Sequence, residues 1–315
     1  MKKLLLVFFP VLFIMSLNAQ EVKYPYPVHY LRVSAEQATH RMAYMDVSPA
    51  KPNGKVVMLL HGKNFNGYYW KDVISFLSDA GFRVVIPDQL GFGLSDKPAI
   101  AYSLHLLAAS TKKLLDTLGI PSVNIISHSM GGMLASRFVL MYPASVDKLV
   151  YENPIGLEDY KTFVPYRSFD EQLAQELRSD FASLKKYQQT YYPEWKQEYD
   201  QYVQAQLQVQ QVPDRKQAAW ASAATYEMIY EQPVIYELDS IRTETLLLIG
   251  QADRTVVGKN LLSPEQAKGH GNYPVLGKML QGRIRNSRLV ELDGVGHIPH
   301  IQQLAAFRKE VLRFL

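Results

Sequence analysis

The sequence predicts an α/β protein: a mostly parallel central sheet with helices on both faces, interrupted by an inserted all-helical block. Short runs rich in Val, Ile and Leu recur along the chain without strict apolar–polar alternation, which is the pattern of parallel strands covered on both faces. Helical patterns lie between those runs. After Asn153 a long stretch keeps helical spacing and carries no strand signal.

The chain of 315 residues is long enough for one large domain or two modest ones. It opens on Lys2 and Lys3, an apolar run from Leu4 to Leu17, and the small or polar Asn18, Ala19 and Gln20. This is the order of a signal peptide, so residues 1–20 are expected to be cleaved on export to a periplasm or outside the cell. An uncleaved anchor is the alternative, but the run is short of the ~20 apolar residues that span a bilayer. Without Lys2 and Lys3, the 34 basic residues fall to 32, against 30 acidic ones. That near balance gives no sign of the basic stripe or face expected of a nucleic-acid binder, and no nucleic-acid partner is expected. There is no cysteine, which excludes disulfides and thiol nucleophiles.

Buried strands are expected at Val56–Leu60, Phe82–Pro87, Val123–Ser127, Val146–Tyr151, Thr245–Gly250 and Arg288–Leu292. Within Tyr102–Gly119, Leu104, Leu107, Ala108, Thr111, Leu114, Leu115 and Leu118 share one helix face, and Gly119 and Pro121 stop it. Gln302–Leu315 reads as a closing amphipathic helix. In the helical block, Leu173, Leu177, Phe181, Leu184 and Tyr191 mark one helix, Trp195 to Val203 a second and Trp220–Tyr230 a third. Pro193, Pro213 and Pro233 punctuate them. The division is then a leader (1–20), a core (21–153 and 240–315) and a helical insertion (154–239).

Five strand ends carry motifs that bear on chemistry. Ser127-His128-Ser129-Met130-Gly131-Gly132 turns a strand sharply into a helix, and small residues two before and two after Ser129 let the two approach. His61-Gly62-Lys63 follows the first strong strand and Asp88-Gln89-Leu90-Gly91-Phe92-Gly93 the second. Gly250-Gln251-Ala252-Asp253 ends the next-to-last strand, and Gly294-Val295-Gly296-His297 follows the last.

These motifs resemble the α/β-hydrolase family. The resemblance covers most of residues 53–153 and 240–315, with Ser127 in place of the elbow's usual first glycine. It implies a triad in the order Ser129, Asp253, His297, with an oxyanion hole from the backbone N–H groups of Lys63 and Met130. Glu152, also just past a strand, is the rival acid. His61 and Asp88 read as loop scaffolding, and His128, His270 and His300 as non-catalytic. The helical block corresponds to a cap. No residue spacing resembles a metal site, and no cofactor is implied.

A serine at the elbow, rather than the aspartate of dehalogenase and epoxide hydrolase relatives, implies acyl-enzyme chemistry on a small, partly apolar carbonyl substrate. An ester is the simplest; an amide or a carbon–carbon bond could use the same triad. Relatives resembling proline iminopeptidase hold a free amine with cap acids, for which Glu176, Glu194, Glu227 and Glu231 are candidates. An acyltransferase and a non-catalytic binding protein are the other classes. Residues 256–281 read as a mobile lid or as a surface excursion with a short helix. A histidine base implies activity that rises with pH around the ordinary imidazole value of about 6.5.

Overall fold

The structure, a computed structural model, describes residues 23–211 and 214–315; the expected signal segment lies outside them. Its strands are β1 (Val28–Ala35), β2 (Ala38–Val47), β3 (Val56–Leu60), β4 (Arg83–Pro87), β5 (Val123–His128), β6 (Val146–Glu152), β7 (Glu244–Gly250) and β8 (Ser287–Leu292). They form one eight-stranded sheet in the order β1-β2-β4-β3-β5-β6-β7-β8. From β4 to β8 every pairing is parallel. The helices are α1 (Lys71–Asp79), α2 (Leu104–Thr117), α3 (Met130–Met141), α4 (Phe169–Leu177), α5 (Phe181–Gln189), α6 (Asp200–Gln210), α7 (Arg215–Glu231), α8 (Pro264–Gly269), α9 (Tyr273–Arg283), α10 (Pro299–Gln302) and α11 (Leu304–Phe314). The α/β class with a mostly parallel sheet is therefore observed, and the six expected strands fall within a residue of their expected bounds.

The missing alternation in those strands has a simple cause. Met58, Leu60 and Ile125 enter one core with Leu107, Leu114 and Phe138, while Val57, Leu59 and Ile126 enter another with Trp70, Val73 and Phe307. Helices α2, α3 and α9 cover the first face and α1 and α11 the second. Both faces of the central strands are dry, so both must be apolar. Helix α2 begins where Ser103 caps the Leu106 N–H, and Gly119 ends it at φ +65°.

Two elements depart from the sequence reading. The antiparallel pair β1–β2 was not expected. It lies at the sheet edge, mixes exposed polar residues with buried ones, and turns at Glu36, a non-glycine residue at φ +52°. It therefore carries neither a continuous apolar run nor a glycine turn. The single helix expected through Leu173–Tyr191 is two, α4 and α5. Asp180 caps Ser183 N–H and Ser183 returns the bond, which starts a new helix in the middle of the apolar pattern.

Between β6 and β7 the described chain holds α4–α7 and no strand; α4 packs on α7, and α5 on α6. Residues 256–281 hold α8 and part of α9, whose Gly277 packs directly against Ile249 of the sheet. No helix among the described residues is long and apolar enough to cross a membrane.

Candidate active site

The sheet order places the C-terminal ends of β5, β6, β7 and β8 side by side, so residues far apart in sequence meet along one edge. Ser129 follows β5 at φ +56°, ψ −121°, a backbone conformation that a side chain resists by about 1–3 kcal/mol. The turn is held from both sides. A Cβ on Gly131 would sit 2.2 Å from the Leu60 carbonyl oxygen, and one on Gly132 2.5 Å from Pro154. Ser127 is tolerated in place of glycine because its hydroxyl donates to the Val150 carbonyl at 3.0 Å.

The structure brings Ser129, His297 and Asp253 together. Their side chains are almost fully buried. His297 Nδ1 lies 2.7 Å from Asp253 Oδ2, and His297 Nε2 lies 2.9 Å from Ser129 Oγ. A carboxylate only accepts, so Nδ1 carries the proton and Nε2 is free to accept from the serine hydroxyl. Asp253 is fixed by further donors: Asn153 Nδ2–H to Oδ2 at 2.7 Å and Thr255 N–H to Oδ1 at 2.8 Å. Asn153 itself stands at φ +38° and accepts the Gly250 N–H. No motif marked Asn153, though an asparagine just after β6 is a residue type suited to that backbone angle.

A chain of neutral groups backs the histidine. Gly62 N–H donates to Tyr69 Oη at 3.0 Å, Tyr69 O–H to His128 Nδ1 at 3.2 Å, and His128 Nε2–H to the His297 carbonyl at 2.9 Å. The helical insertion contributes Tyr191. Its carbonyl accepts the His297 N–H at 2.7 Å, its ring lies over the imidazole with centroids 4.8 Å apart, and its hydroxyl accepts from Asn64. Sequence spacing marked Tyr191 only as a core position.

The remaining candidates have other partners. His61 donates from Nδ1 to the Gly62 carbonyl and accepts the Gln89 N–H at Nε2. Asp88 accepts from Tyr24 Oη, Gly67 N–H and Leu94 N–H. Glu152 accepts from the N–H and Nδ1 of His300, which stacks on Trp70. His270 stacks on Phe163 and bonds Glu158. Among the described residues no group of His, Cys, Asp and Glu could hold a metal ion.

Burial pushes the imidazoles of His61 and His128 below their ordinary value, and the neighbouring His297 and His300 push His128 further. A depressed folded pKa means that the unfolded chain binds protons that the fold does not. Stability is then complete above the unfolded value of about 6.5 and is lost as pH falls below it. Each such histidine steepens that loss, because the unfolded chain takes up a proton that the folded one resists. Thermal melting between pH 7 and pH 5 should show a falling Tm, and a shallower fall for His128→Asn.

Above Ser129 is a cavity of about 600 Å³ between the sheet edge and the helical insertion. Tyr187, Tyr191 and Tyr226 reach it from the insertion, and Thr255, Val257 and Gly258 border it from the segment after β7. Of the four acids named above only Glu176 lines it. Glu227 and Glu231 line a separate outer groove beside Trp220, and Glu194 is exposed. Gly62 passes so close to Ser129 that a Cβ there would sit 3.0 Å from the serine Cβ. Lys63 follows Gly62 in this loop, and Met130, the first residue of α3, follows Ser129.

The α/β-hydrolase fold pattern matches residues 55–304. A solved structure of a probable hydrolytic enzyme from Pseudomonas aeruginosa PAO1 is 45% identical with a TM-score of 0.90, the match covering 93% of this chain and 95% of that one. Among curated proteins, a cis-3-alkyl-4-alkyloxetan-2-one decarboxylase from Xanthomonas campestris pv. campestris is 37% identical, the match covering 36% of this chain and 39% of that protein. A haloalkane dehalogenase from Mycolicibacterium paratuberculosis is 34% identical, covering 41% and 44%. The chain thus spans less than half the length of these two curated relatives. Pattern, structure and sheet order agree: this chain belongs to the α/β-hydrolase fold family.

Proposed function

We propose that this chain is a serine hydrolase that cleaves a small carboxylic ester or related carbonyl compound through an acyl-enzyme on Ser129. The observation that carries the reading is the unbroken hydrogen-bonded line Ser129–His297–Asp253 beneath the cavity. In this reading Ser129 Oγ attacks the carbonyl carbon while His297 Nε2 takes its proton, then returns it to the leaving group. The backbone N–H groups of Lys63 and Met130 hold the oxyanion, each contributing about 2.7–4 kcal/mol at the transition state. Water, activated by the same histidine, releases the acid. A hydroxyl at the elbow leaves an ester that His297 can help water to attack at its carbonyl.

The amine-recognition alternative loses support, because one acid, not four, faces the cavity. Transfer of the acyl group to an alcohol or amine uses the same intermediate and is distinguished by product analysis with a competing acceptor. The leader pattern of residues 1–20 supports an exported enzyme. The test is hydrolysis of p-nitrophenyl esters of increasing acyl length. Turnover with a chain-length optimum supports the reading, and no turnover on any ester counts against it.

A further inference from the structure

The cavity over Ser129 is lined by four basic side chains, Lys63, Arg167, Arg178 and Lys186, against the single acid Glu176. Lys63 is set apart from the others. It follows Gly62, which touches Ser129, and its own side chain rises from that loop toward the insertion with only 14% exposure. Its Nζ donates to Ser222 Oγ of α7 at 2.9 Å and stands 4.0 Å from Glu176 Oε1. That carboxylate oxygen is already taken by Gln172 Nε2 at 2.8 Å, and Gln172 in turn accepts from Arg167 at 3.0 Å. An ammonium has three protons to donate, and here one is committed to a neutral hydroxyl.

We propose that the cavity takes substrates bearing a carboxylate, with Lys63 Nζ as its partner and Arg167 as the outer cation. A largely buried ammonium with incomplete compensation gains most from a monoanion that supplies the missing acceptors. Glu176 beside it keeps the local charge too low to favour a dianion such as phosphate. Burial pushes the Lys63 ammonium below its ordinary value and Glu176 pushes it up; a bound carboxylate acts in the same sense as Glu176. The inference rests on the serine-hydrolase reading for its reaction, but not for its binding.

Two matched pairs test it. In p-nitrophenyl hydrogen glutarate and its ω-carboxamide the charge lies on the acyl half; in 4-carboxyphenyl butyrate and 4-carbamoylphenyl butyrate it lies on the leaving half. The wild type should prefer the carboxylate of at least one pair by tenfold or more in kcat/KM, the range of a charged hydrogen bond. Added salt should narrow the preference. Lys63→Met, which keeps the backbone N–H, should abolish the preference, Lys63→Arg should restore much of it, and Arg167→Gln should reduce it by less.

Equal kcat/KM within both pairs, or a preference that survives Lys63→Met, overturns the carboxylate site and leaves the hydrolase reading standing. If no ester turns over, the hydrolase reading fails and calorimetry decides the site. Binding of glutaramate, the monoanionic monoamide, to Ser129→Ala in preference to neutral glutaramide, lost when Lys63→Met is added, upholds it; equal or absent binding of the two overturns it.

Discussion

Ser129→Ala should lower kcat by about 10⁴–10⁶-fold and abolish labelling by a fluorophosphonate probe, while Tm stays within a degree or two. Among the described residues the hydroxyl bonds only His297 Nε2, so on the proposed mechanism its removal takes away the nucleophile and orphans no other described group. Alanine keeps the strain at φ +56°, whereas Ser129→Gly should relieve it and raise stability by about 1 kcal/mol. An inactive but more stable glycine variant would show that the elbow holds its serine against the preference of the backbone. Residual labelling or turnover of Ser129→Ala near the wild-type level would remove this residue from the chemistry.

Asp253→Asn should cost about 10⁴-fold in kcat, and Glu152→Gln should leave kcat within about threefold. Three donors converge on Asp253: the ring N–H of His297, the amide of Asn153 and the backbone N–H of Thr255. An asparagine offers one acceptor oxygen where the carboxylate offers two, and its NH₂ faces another donor. The imidazole is then driven to the tautomer that points a proton at Ser129. Glu152 has a different constituency, the N–H and Nδ1 of His300. Its amide variant should lower stability by about 1–3 kcal/mol, seen as a fall in denaturation midpoint without a matching fall in kcat/KM. If kcat collapses in Glu152→Gln and survives in Asp253→Asn, the two acids exchange roles.

The parallel strands were legible because a strand dry on both faces must be apolar throughout, a signal that needs no partner to read. The strand ends were legible for a related reason: a sharp turn beneath a reactive side chain demands small residues at fixed offsets, as at Ser127, Gly131 and Gly132. What could not be read depends on pairs across the fold. Asn153 looks like any polar residue until β7 is laid beside β6 and Asp253 comes within reach. Tyr191 has the spacing of a packing residue, and only the folded insertion shows its carbonyl on the His297 N–H. The β1–β2 hairpin was hidden because exposed polar residues are mixed with buried ones along both strands, and its turn uses Glu36 without glycine.

The grip of Tyr191 on the His297 loop has a consequence for how such a molecule can change over time. A Cβ on Gly296 would sit 2.2 Å from the Tyr191 carbonyl oxygen, so loop and insertion fit only as a matched pair. The insertion is therefore not an interchangeable module resting on a self-sufficient engine. Trimming it away would not yield a smaller enzyme with a broader appetite, because the same cut uncovers the imidazole and frees the loop that aims it. The roof at Arg167 and Tyr187 can be altered without disturbing this strip, whereas Tyr191 and the loop beneath it have to change together.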